Sequence, residues 1–319
     1  MTTAEILAKF PSMRALMVGD VCLDRWCRYD PSQSEPSRET GIPRIAVTQV
    51  ESTPGAAGTI AANLASLGIG KVSVLGAIGD DGFGFELERA LDRRSIATDL
   101  LIRSSSIATF TYTKLLNAGT GIEDLPRLDF INASPLPADV ETELLERLTK
   151  IAHEFDVILV SDQAETAAGG VITEKIREAL AELDQIVWVD SRERSELFRN
   201  VILKPNRAEA DAALARIGAS EYEILREHTK SKLLIVTDGA NGVRIFDQHG
   251  ESLVPARRVE NPVDTCGAGD SFSAGAALAL AITGSPIEAV EFGNLIASAT
   301  ITKRGTGTAS PQELLALAE

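Results

Sequence analysis

The chain has 319 residues, of which 44% are hydrophobic and 24% are charged, and its formal net charge is −15. This composition is typical of a globular protein with a sizeable core, and the acidic balance argues against nucleic acid or anionic membranes as partners. The three cysteines and three histidines are too few and too scattered to suggest a zinc site or a histidine-based triad.

We expect a cytoplasmic protein. The apolar runs of the sequence are all shorter than the roughly 18 residues that a membrane span requires. The N-terminus also lacks the basic stretch and long apolar core of a secretory signal.

Short, continuous runs of valine, isoleucine and leucine predict buried strands, and such runs suit a parallel sheet that is covered on both faces. Between them lie segments with helical periodicity. This alternation predicts an α/β fold, a doubly wound and mostly parallel sheet flanked by helices, in a single domain over residues 1–319. The strands are predicted at 14–19, 71–79, 156–161, 186–190, 201–204 and 232–237, and the helices at 84–94, 138–155, 173–183 and within 268–303.

Two segments, residues 25–53 and 107–131, break this alternation. They contain period-two stretches such as "RIAVTQVES" and "TFTYTKLL" with turn-rich flanks. We expect them to form antiparallel strands that are added to the main sheet as a small β-strand lid over its ligand edge. We also expect the chain to form a homodimer through this lid.

The segment "DTCGAGDSFSAGAA" (264–277) places glycines and an acidic residue before a helical stretch. Gly267 and Gly269 flank Ala268 where the helix begins, so free N–H groups and the positive end of the helix dipole converge on one point. This predicts an anion site, with Asp270 in the first turn placed to take a proton from an attacking hydroxyl. An acidic helix cap is the simpler alternative.

The same segment resembles the C-terminal signature of the ribokinase-like (PfkB-type) carbohydrate kinases. The resemblance implies transfer of the γ-phosphoryl group of ATP to a sugar hydroxyl, with Mg²⁺ as a cofactor. It makes Asp270 the catalytic base, and it makes the amides of Gly267, Ala268 and Gly269 the anion hole for the transferred group. Phosphoryl transfer depends mainly on positioning and charge stabilisation, which these residues are suited to provide.

An N-terminal motif extends the resemblance to the sugar site. The segment "GDVCLDRW" (19–26) resembles the first strand of the family and implies that Asp24 binds sugar hydroxyls. Asp20 has the same parity as Asp24 on a strand, so we expect both carboxylates to face the sugar. A solvated strand end is the plain alternative.

The segment "PGAAGTIAANLASLG" (54–68) resembles the glycine-led sugar loop of the family. It implies sugar contacts at Gly55, Ala56 and Thr59. Two of these positions depart from the family pattern, because Ala56 replaces a glycine and Thr59 replaces an asparagine. A hydroxyl has one polar atom where an amide has two, so at least one sugar hydroxyl is expected to lose its partner.

Motifs in the second half of the chain resemble the nucleotide site of the family. The segment "KPNRAE" (204–209) implies that Asn206 and Glu209 organise phosphate and Mg²⁺, the latter through water. The turn "VTDGANG" (236–242) and a helical asparagine imply further nucleotide contacts, at Thr237, Gly239, Gly242 and Asn294.

The segment "KRGTGTASP" (303–311) resembles the closing loop of the family, which in some relatives shares a monovalent cation with the loop at Asp264. The resemblance implies a K⁺ site at Asp264 and Gly305. Helix capping or loop structure is the alternative role for Asp264.

Within the family, the closest likeness is to the kinases of heptose 7-phosphate. The segment "LPRLDF" (125–130) and the ending "GTASPQEL" support this subgroup. The likeness implies that Lys114, Arg127 and Asp129 lie on or beside the lid and meet the phosphate of the sugar.

One further segment departs from the heptose kinases, which carry an S-D-Y-x-K-G motif. Here it reads "SDQAETAAGG" (161–170), with Asp162 retained and the lysine absent, and Arg192 is a candidate substitute. Loss of a cation weakens a phosphate contact. Together with the altered sugar loop, this predicts weak activity on heptose 7-phosphate.

Two alternatives remain open at this point. The first is another enzyme on the same fold, a nucleoside kinase or a ketose-phosphate kinase. The second is a non-catalytic protein that binds a sugar or a nucleotide. A dinucleotide oxidoreductase is not supported, because no G-x-G-x-x-G motif follows the first predicted strand.

Overall fold

The computed structural model describes residues 1–164 and 168–318, and its elements are numbered in chain order. The strands are β1 (Arg14–Gly19), β2 (Val21–Tyr29), β3 (Val47–Ala56), β4 (Lys71–Leu75), β5 (Ala77–Gly79), β6 (Ile102–Ser104), β7 (Thr111–Asn117), β8 (Leu128–Phe130), β9 (Val157–Asp162), β10 (Ile186–Ser191), β11 (Ile202–Leu203), β12 (Leu233–Thr237), β13 (Val243–Asp247) and β14 (Gly250–Val254). The α-helices are α1 (Thr3–Leu7), α2 (Ala57–Ser66), α3 (Gly82–Asp92), α4 (Ala138–Ile151), α5 (Glu174–Ala181), α6 (Arg207–Ile217), α7 (Tyr222–His228), α8 (Ala268–Thr283), α9 (Pro286–Thr300) and α10 (Pro311–Ala318).

The main sheet has the strand order β14-β13-β12-β11-β10-β9-β1-β4. The strands from β12 to β4 run parallel, and β13 and β14 extend the edge as an antiparallel hairpin. Helices cover both faces. Along β1, Ala15 and Met17 pack into the core under α2, α8 and α9, whereas Leu16 packs into the core under α4, α5 and α6. The predicted doubly wound α/β fold is therefore confirmed.

The strand predicted at 71–79 is divided in two. The chain passes the carbonyl oxygen of Gly19 so closely at Gly76 that a Cβ there would lie 2.7 Å from it. Before this point β4 belongs to the main sheet, and after it β5 pairs with β6 in a separate two-stranded sheet. The sequence did not predict the hairpin of β13 and β14.

The lid is a separate four-stranded sheet with the order β3-β2-β7-β8. The expectation of antiparallel strands added to the main sheet is wrong in two respects, because the lid pairs only with itself and because β2 and β7 are parallel. The chain leaves the main sheet at Gly19, whose φ of +144° is open mainly to glycine. A small core of Cys27, Tyr29 and Leu115 holds the outer part of the lid together.

Helices α8 and α9 pack at very short range. A Cβ at Gly293 would lie 2.8 Å from the ring of Phe272, and a Cβ at Gly275 would overlap the side chain of Ile296. Phe272 also packs against Trp188 of β10, with 6.4 Å between the ring centroids. The start of α8 is therefore fixed against both its neighbouring helix and the main sheet.

Within residues 1–164 and 168–318, every helix is too short or too polar to cross a membrane. The longest, α8, has 16 residues, where a span needs about 20.

Candidate active site

Two cavities meet at the carboxyl ends of the main-sheet strands. The lid cavity, of about 240 Å³, lies between the lid and the main sheet, and the sheet cavity, of about 420 Å³, lies over the ends of β10, β11 and β12. Both cavities are lined by Gln163, Arg192, Gly267 and Asp270. A group bound in one cavity thus reaches a group bound in the other at the start of α8.

The start of α8 has the geometry of an anion site. Gly267 caps the helix in the left-handed region, with a φ of 76°, and a side chain there would crowd Thr306. The first N–H groups of a helix have no partner within it. The N–H of Ala268 donates to the carbonyl of Thr265 at 3.2 Å, and that of Gly269 lies in the first turn, outside the helix ladder. The three predicted anion-hole residues line the sheet cavity.

The loop before α8 is tied to the closing loop by Asp264. One carboxylate oxygen accepts from the N–H of Cys266 at 2.9 Å, and the other accepts from the N–H of Gly305 at 3.0 Å. The structure therefore brings the two predicted K⁺ residues together. The direct hydrogen bond also gives Asp264 the loop role that the sequence left as its alternative.

Asp270 lies in the first turn of α8 and faces both cavities. Burial raises its pKa to about 7, and the neighbouring carboxylate of Asp190 adds to this rise while the ammonium group of Lys204 opposes it. A carboxylate with a pKa near neutrality is suited to act as a general base.

Lys204 is a buried cation of the sheet cavity, and sequence reasoning missed it. It forms a buried ion pair with Asp190, with 2.6 Å between Nζ and Oδ2. A Cβ at Gly269 would lie 3.4 Å from Nζ, so the ammonium group lies against the first turn of α8. Its position directly after β11, within the same "KPNRAE" segment that supplied Asn206, was the available signal.

Asn206 and Glu209 form a capping box at the start of α6. The Asn206 side chain accepts from the N–H of Glu209 at 3.0 Å, and the Glu209 carboxylate accepts from the N–H of Asn206 at 2.7 Å. Burial raises the pKa of Glu209, and nearby Asp190 adds to the effect. Both residues line the sheet cavity, as predicted for a phosphate or Mg²⁺ site.

The other predicted nucleotide residues line the far end of the sheet cavity. Thr237 ends β12, and Gly239 and Gly242 form the turn to β13 with positive φ values of 52° and 96°. A Cβ at Gly242 would lie 2.5 Å from the carbonyl oxygen of Val254. Asn294, on α9, donates from its side chain to the carbonyl of Pro255 at 3.1 Å.

Asp24 lines the lid cavity, as predicted. Burial raises its pKa to about 6, although the cations of Lys114 and Arg127 act to lower it. Gly55 lies on the strand opposite, where a Cβ would be 2.5 Å from the Asp24 carboxylate. The space that Gly55 leaves is occupied by this carboxylate, so Gly55 acts beside the cavity and not in its lining.

Ala56 and Thr59 both line the lid cavity. Ala56 has a φ of 51° and a ψ of −120°, a conformation that a residue with a Cβ rarely adopts. Thr59 is buried in the first turn of α2, and its hydroxyl donates to the carbonyl of Pro54 at 3.3 Å. The two departures from the family loop therefore lie at the cavity wall.

Cations from the lid line the same cavity. Arg127 is held by Asp129 through two hydrogen bonds of 2.7 Å and lies over the ring of Tyr112, with 5.0 Å to the centroid. Asp129 does not itself line the lid cavity. Its two hydrogen bonds orient the guanidinium group of Arg127. The cationic side chains of the lining are Arg25, Lys114, Arg127 and Arg192.

Asp20 differs from its predicted position. It lies between β1 and β2, so the parity that relates residues within a strand does not extend to it. Its buried carboxylate accepts from the N–H groups of Gln163, Ala164 and Val171, at 2.9, 2.9 and 2.8 Å. Asp20 therefore lies outside the lining of both cavities and holds the segment that follows β9.

In the "SDQAETAAGG" segment, residues 165–167 lie outside the described residues. Asp162 binds Ser191 at 2.7 Å and pairs with Arg194. Gln163, which sequence reasoning did not select, lines both cavities together with Arg192.

Within residues 1–164 and 168–318, no three His, Cys, Asp or Glu side chains are grouped so that they could hold a metal ion. The carboxylates of the sheet cavity, Asp190, Glu209 and Asp270, lie around Lys204. A divalent cation at this place would complete its shell with water or phosphate oxygens.

Two cavities on either side of a helix start, with a carboxylate whose pKa is about 7 between them, form an arrangement that suits phosphoryl transfer between small polar molecules. Residues 16–313 match the model of the pfkB family carbohydrate kinases, and the chain belongs to this family. The family resemblance that the sequence indicated is therefore confirmed.

Among curated relatives, the chain is 31% identical to the bifunctional protein HldE of Hyphomonas neptunium over 323 residues, covering 98% of this chain and 64% of that protein. The chain thus spans about 64% of the length of the relatives it matches. The ribokinase of Thermotoga maritima has the same fold, with a TM-score of 0.70 and 23% identity over 96% of this chain and 99% of that one. Phosphofructokinase-2 of Escherichia coli, in complex with potassium, gives a TM-score of 0.72 and 19% identity over 96% and 98% of the two chains.

Proposed function

We propose that this chain is an ATP-dependent sugar kinase, that its acceptor is a sugar phosphate bound in the lid cavity, and that ATP is bound in the sheet cavity. The observation that carries the proposal is the junction of the two cavities at Asp270 and the start of α8. An acceptor hydroxyl at this junction lies between a base and an anion site, which is the arrangement that in-line phosphoryl transfer requires.

The reaction follows from these positions. Asp270 takes the proton of the attacking hydroxyl, and the hydroxyl oxygen forms a bond to the γ-phosphorus of ATP. The bond between that phosphorus and the β,γ-bridging oxygen breaks, and ADP leaves with the electron pair. The N–H groups of Gly267, Ala268 and Gly269, together with Lys204, stabilise the negative charge of the transferred group.

The sheet cavity suits a nucleoside triphosphate with Mg²⁺. Its triphosphate end has the cation of Lys204 and the capping box of Asn206 and Glu209, and its far end has the glycine turn and Asn294. Carboxylate oxygens and water are the ligands that Mg²⁺ prefers. Glu209 and Asp190 would hold Mg²⁺ through water, and the ion would neutralise charge on the phosphates.

The charge of the lid cavity favours a phosphorylated acceptor. Arg25, Lys114, Arg127 and Arg192 outnumber the carboxylates of Asp24 and Asp270 in its lining. Arg127 is already oriented by Asp129 and Tyr112, so little side-chain freedom is lost when it binds an anion. Asp24 would accept hydrogen bonds from the sugar hydroxyls.

Two earlier expectations belong to this proposal. Asp264 and Gly305 would contribute to a K⁺ site between the loop before α8 and the closing loop, and their direct hydrogen bond supports the proximity that such a site needs. The homodimer through the lid remains a prediction. Comparing activity in K⁺ with activity in Na⁺ would test the cation site. Size-exclusion chromatography with light scattering would test the homodimer.

An acceptor panel tests the proposed function. ADP formation is measured with free and phosphorylated hexoses, ketoses and heptoses, and with nucleosides. We expect a phosphorylated sugar to give the highest kcat/KM, and heptose 7-phosphate to be a weak acceptor. A free sugar or a nucleoside as the best acceptor would overturn the sugar-phosphate assignment, and ADP formation with none of them would overturn the proposed function as a whole.

A further inference from the structure

A side-chain amide lies at the junction of the two cavities and has no part in the chemistry described above. Gln163 directly follows β9 and lines both the lid cavity and the sheet cavity. Within residues 1–164 and 168–318, its side-chain amide is without a hydrogen-bond partner, although its backbone N–H is held. A polar group in this position can reach a ligand in either cavity.

We propose that Gln163 contacts the acceptor sugar and the transferred phosphoryl group together, and that Asp20 is the positioning residue that holds it at the junction. The amide of glutamine has a donor end and an acceptor end. The donor end suits a phosphoryl oxygen, and the acceptor end suits a sugar hydroxyl. This proposal rests on the proposed function, since it requires both ligands to meet at Asp270.

Asp20 holds both ends of the segment that carries Gln163. Its Oδ2 accepts from the N–H groups of Gln163 and Ala164, at 2.9 Å each, and its Oδ1 accepts from the N–H of Val171 at 2.8 Å. One buried carboxylate therefore anchors the backbone at Gln163, Ala164 and Val171. Hydrogen bonds from N–H groups to a charged carboxylate are stronger than neutral ones, so the position of Gln163 is well fixed.

The packing around Asp20 leaves little freedom for this carboxylate. A Cβ at Gly170 would lie 3.0 Å from Oδ1 of Asp20 and 2.7 Å from the Cβ of Ala164, and Gly170 has a φ of +89°. The backbone approaches Asp20 at a distance that a larger residue would prevent. Both the carboxylate and the glycine are therefore needed for the same local geometry.

The composition of the lid cavity explains why an amide matters here. Thr59 stands where an amide was expected, and its single hydroxyl is directed to the carbonyl of Pro54. Most of the polar side chains that remain in the lining are charged. Gln163 supplies a neutral amide, which binds a hydroxyl and a phosphoryl oxygen without adding charge beside Asp270.

The first test replaces the amide. With the best acceptor of the panel, Gln163→Ala is expected to lower kcat/KM about tenfold to a hundredfold, while the dissociation constant of ADP without acceptor changes less than about threefold. Gln163→Glu places a negative charge beside the transferred group and is expected to lower kcat further. A kcat/KM for Gln163→Ala within about twofold of the wild type would overturn the contact.

The second test asks whether Asp20 acts through Gln163. Asp20→Asn is expected to lower kcat/KM clearly in the wild-type background, and by less than about threefold in the Gln163→Ala background. Equal losses in the two backgrounds would overturn the positioning role. If Asp20→Asn does not fold, Gly170→Ala takes its place in the same cycle, with the same expected non-additivity.

Asp81 offers a matched control. Its carboxylate also holds backbone N–H groups, those of Gly84 at 2.7 Å and Thr109 at 2.9 Å, but it lies outside the lining of both cavities. Asp81→Asn is expected to combine additively with Gln163→Ala. If no phosphorylated sugar in the panel serves as an acceptor, the proposed sugar-phosphate function is overturned. If Gln163→Ala shows normal turnover, only this inference is overturned.

Discussion

The sheet cavity is built from helix starts and from turns of the main sheet, whereas the lid cavity is built mostly from side chains on a separate small sheet. In the sheet cavity, the capping box of Asn206 and Glu209 and the turn at Gly242 are fixed by local backbone geometry. In the lid cavity, Ala56 and Thr59 differ from the residues that the family resemblance implies, and both side chains belong to the lining. The comparison indicates that the sheet cavity is set by the fold and the lid cavity by individual side chains.

Asp270 lies where the two cavities meet, so its substitution is expected to reduce activity the most. Asp270→Asn keeps the shape but removes the base, and we expect kcat to fall by about 10² to 10⁴. Binding of ADP, measured by calorimetry, is expected to change only a few-fold, because the rest of the sheet cavity is intact. Turnover close to that of the wild type would show that another group takes the proton.

Removal of two lid cations is expected to give the next largest effect. This effect is expected on KM for the acceptor and not on KM for ATP. Lys114→Met with Arg127→Leu is expected to raise KM for the phosphorylated acceptor about tenfold to a hundredfold, because charge-assisted contacts to its phosphate are lost. KM for ATP is expected to stay unchanged. Arg103→Leu is a matched control, since Arg103 pairs with Glu88 outside both cavities. An equal rise in KM for an unphosphorylated acceptor would argue against a phosphate contact.

The pH dependence of activity tests the state of Asp270. Its pKa is raised to about 7, and the base must be ionised to accept a proton, so activity is gained as the pH rises through this value. With an uncharged acceptor, kcat is expected to increase about tenfold per pH unit below 7 and to level off above it. A profile that is flat between about pH 6 and 8 would contradict this assignment.

Restoring the sugar loop tests whether its two departures limit specificity. We expect Ala56→Gly with Thr59→Asn to increase kcat/KM for heptose 7-phosphate about tenfold, through one regained hydrogen bond and a removed methyl group. The same double substitution is expected to lower activity on the best natural acceptor. A wild-type kcat/KM for heptose 7-phosphate above about 10⁴ M⁻¹s⁻¹ would contradict the predicted weak activity.

The smallest expected effect concerns the backbone at Ala56. With a φ of 51°, Ala56→Gly relieves strain of about 1–3 kcal/mol against an entropic cost of about 0.5–1 kcal/mol. We therefore expect the free energy of unfolding to rise by about 1 kcal/mol in urea denaturation. Ala57→Gly, one position later inside α2, is the control and is expected to lower it.

The sequence predicted the parallel strands of the main sheet well, because buried parallel strands are continuous apolar runs, and β1 begins and ends at the predicted residues. It did not predict the antiparallel β13 and β14. It did not predict the pairing within the lid. Alternation shows that a segment is a strand but not which strand it pairs with, so the parallel pairing of β2 and β7 was not foreseen.

Within the candidate site, most residues selected from motifs line one of the two cavities, but Asp20, which shares a motif with Asp24, does not. Asp24, Asn206 and Asp270 line the predicted cavities, since each belongs to a segment with a definite local geometry. Asp20 was misplaced because strand parity does not pass through the turn between β1 and β2. Gln163 was not selected, because its importance arises only from the meeting of two cavities.

The close packing of α8 on α9 has a consequence for how new substrate preferences arise. The glycines Gly275 and Gly293 leave no room for side chains, so the helix that carries Asp270 cannot shift to follow a different acceptor. A new acceptor must therefore be brought to a stationary base, and the lid residues are the ones that can change to do so. Amino-acid substitutions are thus expected to accumulate in the lid as the enzyme diverges. Substitutions that add side-chain atoms between α8 and α9 are expected to be removed by selection.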